Sequence, residues 1–176
     1  MLVIADASPL RYLILIGQIE ILPVLYDRVM APEVVITELG RSQTPASVRR
    51  WLQAPPVWLD IRQPILAPSD TMAELGAGER DAILLARELS ADLVLMDDRS
   101  GRAEAHRQQV VTTGTLGVLE SAAIRGLLQL PEALSRLLET NFYVAPSLID
   151  DLLERDARRR SGPETVMGEN GDPEAD

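Results

Sequence analysis

Short, continuous apolar runs alternate with helical stretches along most of this chain, and this alternation constrains the fold more than any other feature. The clearest runs are Leu2–Ala5 and residues 93–96, and a helical pattern follows each of them. Strands that are apolar throughout are typical of a parallel sheet that is covered on both faces. We therefore predict an α/β domain, a three-layer sandwich in which a parallel sheet of about five strands is flanked by helices on both faces.

The boundaries of these elements follow from turn and capping residues. Ser8 followed by Pro9 is typical of an N-cap with proline at the first helical position, so a helix is predicted to begin there. Prolines flank residues 57–61, which favours an edge strand. The other predicted strands are 2–5, 28–31, 93–96 and 110–112. The other predicted helices are 19–26, 32–39, 45–53, 78–89, 102–108, 116–125, 131–140 and 147–159.

The chain has 176 residues, which is the size of one domain. Residues 161–176 are rich in glycine, proline and acids and lack periodicity, so we predict a single domain at 1–160 followed by a disordered acidic tail. The tail holds five acids and no arginine, which is half of the formal net charge of −10. The predicted domain therefore carries a charge of only −5, from 22 acids and 17 cationic residues.

The residue types that are missing exclude many kinds of catalysis. All 17 cationic residues are arginines, cysteine is absent, and His106 is the single histidine. A chain without lysine has no Walker A loop and no Schiff base, and a chain without cysteine has no thiol nucleophile and no cysteine zinc site. The 27 acids remain, so the expected chemistry is that of oxygen ligands.

The N-terminus lacks the basic region and the cleavage site of a signal peptide. No uninterrupted apolar run approaches the roughly 18 residues of a membrane span. We therefore expect a cytoplasmic protein without a membrane partner.

Two acids stand at the ends of predicted strands. Asp6 follows the first strand, and Asp97 directly continues the strand at 93–96. Active sites of parallel α/β sheets lie beyond the carboxyl ends of the strands, so both are candidate catalytic residues. The alternative for Asp6 is that it only caps the next helix. We expect Asp98 to cap the helix that follows it, or to be a secondary ligand.

Two further acids fall on apolar helix faces. On a helical wheel Glu38 lies between Val34 and Val35, and Glu79 lies on the face that a packed helix buries. The alternatives are a Glu38 that reaches solvent from the helix end, and a Glu79 that only complements the helix dipole. Asp81 lies on the polar side of the same helix and is the rival of Glu79.

Gathering Asp6, Glu38, Glu79 and Asp97 in one place is electrostatically costly, and no lysine is present to neutralise them. A hard divalent cation, Mg²⁺ or Mn²⁺, takes oxygen ligands and bridges them to phosphate. We therefore predict these four acids as metal ligands, with Asp81 and Asp98 as secondary candidates. The predicted substrate-binding or supporting residues are Ser8, Arg99, Arg102, Thr113 and Thr115, although a helix cap for either threonine and ordinary surface charge for either arginine are the alternatives.

Five segments carry a family resemblance through their order and spacing. They read VIADASPL (3–10), VVITEL (34–39), GERDAILLA (78–86), LMDDRSGR (95–102) and TGTLG (113–117). Over residues 1–150 the sequence resembles the PIN domain, in particular the bacterial toxin ribonucleases of toxin–antitoxin pairs. In that resemblance Asp6, Glu38 and Asp97 match the first, second and fourth family acids. Glu79 has the spacing of the third, where the family more often has aspartate.

The resemblance implies a Mg²⁺- or Mn²⁺-dependent endoribonuclease that cleaves RNA, forms a homodimer and is held inactive by an antitoxin protein. A second hypothesis is a PIN-like module that has lost catalysis and acts by binding a partner protein. The acidic balance of the chain favours this second hypothesis, because nucleic-acid binders are usually basic.

Overall fold

The computed structural model describes residues 1–161, which form a five-stranded parallel sheet covered by helices. The strands are β1 (Leu2–Ala5), β2 (Arg28–Pro32), β3 (Leu59–Arg62), β4 (Leu93–Leu95) and β5 (Thr112–Thr113). The helices are α1 (Ala7–Leu15), α2 (Leu22–Leu25), α3 (Glu33–Leu39), α4 (Ala46–Leu52), α5 (Ala77–Leu89), α6 (Arg99–Arg107), α7 (Thr115–Ile124), α8 (Leu130–Leu138) and α9 (Pro146–Ser161). Short 3₁₀ turns cover Ile19–Ile21 and Asp70–Met72.

The strand order is β3-β2-β1-β4-β5, and every pair is parallel. The chain runs from β1 outward through β2 to β3, then crosses to the other side of β1 to form β4 and β5. Val3 at the centre pairs with Val29 of β2 and Leu93 of β4. The direction of winding therefore reverses between β1 and β4, and such a switch point opens a crevice at the carboxyl ends of the two strands.

Both faces of the sheet are buried, as the apolar runs predict. Along β1, Val3 and Ala5 join one core together with apolar residues of α1, α3 and α7, whereas Ile4 joins a second core with α5. All three side chains are fully buried. Complete burial stabilises the fold by about 1.5–3 kcal/mol for each residue of the size of Val or Ile. The predicted helix–sheet–helix architecture is confirmed.

Several boundaries differ from the prediction, and capping explains the main differences. Helix α1 begins at Ala7 with Asp6 in the N-cap position, so Ser8 is not the cap. Helix α6 begins at Arg99, earlier than predicted, because the Asp98 side chain accepts a hydrogen bond from the backbone N–H of Gly101 at 2.9 Å. The predicted helix at 19–26 is a 3₁₀ turn followed by α2.

The C-terminal helix α9 extends through Ser161, one residue into the segment predicted as an acidic tail. The rest of that predicted tail, residues 162–176, lies outside the described residues. Within residues 1–161 no single helix has the length and apolar composition of a membrane span, and one sharply bent pair, Ala7–Leu15 with Ile19–Leu25, meets these two criteria only when joined.

Candidate active site

Asp6 and Asp97 lie at the switch point of the sheet. Asp6 is the first residue after β1, and its backbone N–H donates a hydrogen bond to the carbonyl oxygen of Leu95 at the end of β4 (2.9 Å). Asp97 lies two residues beyond Leu95. Only 4 % of Asp6 is exposed, although aspartate is almost never buried without a partner. The crevice between the two strands is therefore acidic.

Gly78 lies against the carboxylates of both Asp6 and Glu38. It lies in the first turn of α5, which packs on β1, β2 and α3. A Cβ atom at Gly78 would lie 3.0 Å from Asp6 Oδ1 and 2.9 Å from Glu38 Oε2. These two oxygens are therefore at most 5.9 Å apart, the sum of the two distances. The absent side chain leaves a space that two carboxylate oxygens border, one from the N-cap of α1 and one from α3.

Burial raises the pKa of Asp6 to about 7, and the negative charges of Glu79 and Glu38 add to this effect. The backbone N–H groups of Ala7 and Ser8 lower the pKa but do not compensate for burial. Within residues 1–161 none of these three acids forms an ion pair with an arginine. The Asp6 carboxyl thus keeps its proton near neutrality unless a cation stabilises the charge.

Glu79 is half-buried at the start of α5, where its Oε2 accepts a hydrogen bond from the backbone N–H of Gly76 (3.2 Å). Burial raises the pKa of Glu79, and so do the charges of Asp98 and Glu38. The side chain therefore faces the other acids but also caps its own helix, a second role that the helical wheel does not reveal. Asp81, its rival, instead pairs with Arg80 (3.2 Å from Oδ1 to Nε).

Asp97 is tied to the helix on the other side of the crevice. Its Oδ1 accepts a hydrogen bond from the backbone N–H of Thr115 (2.7 Å), and its Oδ2 accepts one from the Thr115 hydroxyl (2.6 Å). Burial raises the pKa of Asp97, while the two bonds from Thr115 and the nearby charge of Arg102 lower it. The exposed Asp98 caps α6, as the sequence predicts for this residue.

The structure does not bring all four predicted acids into one metal-binding group. Within residues 1–161 no set of three or more Asp, Glu or His side chains is arranged to hold a metal ion. The reason lies in helix capping, because the Asp97 carboxylate turns to Thr115 and that of Glu79 turns to Gly76. Asp6 and Glu38 remain together beside Gly78.

The other predicted residues differ in their distance from the acids. A Cβ atom on Gly114 would lie 3.6 Å from Arg102 Nη1 and 2.6 Å from Asp97 Oδ1, so these two groups lie on the same side of that glycine. Arg102 and Thr113 line a groove that begins at Asp97, whereas Arg99 is exposed at the first position of α6. Ser8 acts on Asp6 through its backbone N–H.

A buried acid elsewhere in the protein illustrates the hydrogen bonding and pKa of a carboxylate with a structural role. Glu104 in α6 is completely buried and accepts hydrogen bonds from Thr71, Arg107 and Gln108 at 2.7–2.8 Å. The hydrogen bond from Gln108, with those from the other two partners, lowers its pKa against the effect of burial. Asp6 differs, because burial and the charges of Glu79 and Glu38 outweigh the hydrogen bonds from the backbone N–H groups of Ala7 and Ser8, so its pKa is raised.

Two features of the site were missed by the sequence reasoning. The sequence marks Gly78 only as the start of a predicted helix, although glycine also permits the close approach that Asp6 and Glu38 make here. The groove beside Asp97 is closed by the segment around Phe142 and Tyr143. Two adjacent aromatic residues are conspicuous in a chain that is only 3 % aromatic, and that composition was the available signal.

The fold and the site together define an open α/β domain with an acidic crevice at its switch point. The family model DUF3368, which is described as a PIN domain, matches residues 2–158. The chain therefore belongs to the PIN domain family, whose members are generally nucleases, and the resemblance seen in the sequence is confirmed.

Two other comparisons add little to this assignment. A PilT N-terminus domain protein, SSO1118, from the hyperthermophilic archaeon Sulfolobus solfataricus P2 has a similar structure, with a TM-score of 0.47 and 16 % sequence identity. The similarity covers 82 % of this chain and 100 % of that chain. No curated protein matches the sequence significantly.

Proposed function

We propose that this protein is an endoribonuclease that hydrolyses RNA phosphodiester bonds with the help of Mg²⁺ or Mn²⁺. One observation carries the proposal, namely the buried Asp6 carboxyl that borders, together with Glu38, the space left by Gly78. A fold keeps such an unfavourable arrangement when it serves function rather than stability.

The donor chemistry fits a hard divalent cation, because the facing groups are carboxylate oxygens and Gly78 leaves room between them. Asp6 and Glu38 would hold the cation together, and Glu79 would add negative charge beside them. When bound, such an ion supplies a more acidic water molecule and stabilises the charge that develops on the phosphate.

The remaining residues act on the substrate side of the crevice. Asp97 is fixed in orientation by the two hydrogen bonds from Thr115. Arg102 lies next to it and would bind a phosphate oxygen of the RNA backbone through its forked guanidinium group. The scissile phosphate would therefore lie between Arg102 and the acids.

RNA cleavage with Mn²⁺, with Mg²⁺ and with EDTA tests the proposal. We expect Asp6→Asn to abolish cation-dependent cleavage while the circular dichroism spectrum remains that of the wild type. Asp60→Asn is the matched control, because Asp60 lies in a strand of the same sheet but pairs with arginines. Cleavage by Asp6→Asn at the wild-type rate would contradict the assignment of the site.

A second candidate function is that of a PIN-like module that binds a partner protein without catalysis. It is favoured by the absence, within residues 1–161, of a ready-made group of three metal ligands. Calorimetric titration with Mn²⁺ separates the two functions. A nuclease gives a binding signal that Asp6→Asn loses, whereas a folded wild-type protein with neither signal nor cleavage supports the binding module.

We further propose that the nuclease is the toxin of a toxin–antitoxin pair, acting on cytoplasmic RNA as a homodimer. Its support is the resemblance of the five sequence segments to that branch of the PIN domains. The neighbouring reading frame should then encode a small antitoxin protein that forms a complex with this chain and suppresses cleavage. Light scattering of the purified protein tests the dimer.

A further inference from the structure

A depression of about 210 Å³ lies between the turn that follows α1 and the connection from α7 to α8. Its apolar lining consists of Ile21, Val24 and Leu127. Ile21 is buried, whereas Val24 is 50 % exposed and Leu127 is 37 % exposed. The volume is below the roughly 300–1,000 Å³ of sites for small molecules, so the side chains of a polypeptide segment suit this depression better.

Gly17 keeps the depression open. Its φ of +71° lies in the left-handed region that favours glycine, and a Cβ atom there would have no neighbour within 4 Å among residues 1–161. The polar residues Gln18 and Glu20 form the rim, and Glu20 Oε2 accepts a hydrogen bond from Trp58 Nε1 (3.1 Å). Exposed apolar residues inside a polar rim mark a surface on which another segment packs.

Helix α9 ends close to this depression. Arg160 in its last turn donates from Nη1 to Gln129 Oε1 (3.0 Å), and Gln129 lies only two residues after Leu127. Ile124, one turn before Leu127, is also exposed (57 %). The described part of the chain therefore ends, at Ser161, beside the apolar residues of the depression.

The segment that follows α9 contains one apolar pair in a polar sequence. Residues 162–176 read GPETVMGENGDPEAD, in which Val166 and Met167 are the only large apolar side chains. Met167 is six residues beyond Ser161, and six residues span about 20 Å when extended. This apolar pair can therefore reach Leu127 without any rearrangement of the described domain.

The charges beside the apolar pair complement those at the depression. Glu164 and Glu169 flank the pair, each two residues away from it. Arg125, adjacent to Ile124, is exposed and donates from Nη1 to the carbonyl oxygen of Leu25 (3.2 Å), but within residues 1–161 it forms no ion pair. A glutamate that lies near Arg125 is stabilised by its charge.

We propose that residues 162–176 dock on the depression of their own chain, with Val166 and Met167 packed against Val24 and Leu127. The occupant is argued from the place where α9 ends, from the length of the segment and from its charge.

Docking there places the acids of the segment far from the acidic crevice. Helix α1 begins after Asp6, and α7 begins at Thr115, which bonds to Asp97. The depression lies at the opposite ends of both helices. The five acids of residues 162–176 are then kept away from a site at which they would repel RNA phosphates. The docking itself does not depend on the proposed nuclease function.

Methyl NMR of the full chain, with ¹³C-labelled methionine, valine and leucine, tests the proposal. We expect nuclear Overhauser contacts between the ε-methyl group of Met167 and the methyl groups of Val24 or Leu127, with the Met167 signal displaced from its random-coil position. Val24→Asp should abolish the contacts and return the signal to that position. Val111→Asp is the matched control, because Val111 is an exposed valine (64 %) on another surface, and it should leave the contacts unchanged.

Cleavage by a glutamate-specific protease is a second measurement, which does not depend on whether a Val24 variant folds. Met167→Asp changes only the segment itself. It should raise the rate of cleavage after Glu169 by about 10-fold, because cleavage follows the population of the undocked segment. Met167→Leu, which retains a large apolar side chain, should be cleaved at the wild-type rate.

The proposal is overturned if the Met167 signal of the wild type lies at its random-coil position without contacts to Val24 or Leu127. Equal cleavage rates of the wild type and Met167→Asp would also overturn it. Contacts that arise only between differently labelled copies would assign the depression to a second copy of the chain instead. RNA cleavage enters neither measurement, so the nuclease proposal is tested separately.

Discussion

Replacing Asp6 by asparagine is expected to stabilise the metal-free protein at alkaline pH. The pKa of Asp6 is about 7 in the folded protein, against its ordinary value of 3.8. Between these two values the folded state holds a proton that the unfolded state has lost. Stability therefore falls as pH rises through this window and levels off above about pH 7. Asparagine has the same shape and no such proton, so the variant escapes the loss.

The expected magnitude follows from the width of the window. From about pH 5 up to its pKa of about 7, the wild type loses about 1.36 kcal/mol of its free energy of unfolding for each pH unit. Over these roughly 2 units the loss is about 3 kcal/mol, and little more is lost up to pH 8. The difference between the free energies of unfolding of Asp6→Asn and the wild type should therefore rise by about 3 kcal/mol, in favour of the variant, from pH 5 to pH 8.

Urea denaturation in EDTA, with both proteins measured at both pH values, checks this prediction. Glu104→Gln is the matched control, because its partners lower the pKa of that buried acid and its replacement should cost stability at neutral pH. The opposite sign, an Asp6→Asn variant that loses stability relative to the wild type as pH rises, would show that Asp6 is a stabilising helix cap. The argument for a functional carboxylate would then fail.

Four further predictions concern the cation and the groups around it. Saturating Mn²⁺, at 100 times its dissociation constant, should raise the free energy of unfolding of the wild type by about 2.7 kcal/mol and leave Asp6→Asn unchanged, as measured by urea denaturation; an equal gain in the variant would place the ion elsewhere. Gly78→Ala should abolish this Mn²⁺ effect and RNA cleavage, because the Cβ of alanine fills the space beside the two carboxylates. Alanine is favoured over glycine in a helix by about 1 kcal/mol, which limits the loss of stability. Glu79→Gln should slow cleavage by about 10- to 100-fold in single-turnover assays, and Asp81→Asn by less than about twofold; the reverse order would exchange their roles. Thr115→Ala removes a hydrogen bond that lowers the pKa of Asp97, so the acidic limb of the pH–rate profile should move to higher pH, and an unmoved limb would exclude Asp97 from the titration.

Much of the fold could be predicted because its signals are local. A run such as Leu2–Ala5, apolar at every position, requires cover on both faces wherever it lies in the sheet. The position of Asp6 directly after that run places it at the carboxyl edge of the sheet, whatever the strand order. Boundaries were less accurate where two residues competed for one cap, as Asp6 and Ser8 do at α1.

The roles of individual acids could be predicted only in part. The helical wheel showed that Glu38 differs from a solvated glutamate, and in the structure it does face Asp6. The wheel gives the direction of a Cβ atom but not the partner of a carboxylate. It therefore could not show that Glu79 bonds to Gly76, or that Thr115 holds both oxygens of Asp97.

The sequence by itself determined the class of the fold, the residues at the strand ends and the restriction to oxygen-ligand chemistry, because periodicity and residue type are properties of short segments. Only the tertiary structure decided the strand order that sets Asp6 beside the end of β4, the approach of Asp6 and Glu38 beside Gly78, and the groove that joins Asp97 to Tyr143. These depend on contacts between residues 30 to 90 positions apart in the chain. Such contacts are set by how whole helices pack on the sheet, and no local pattern encodes them.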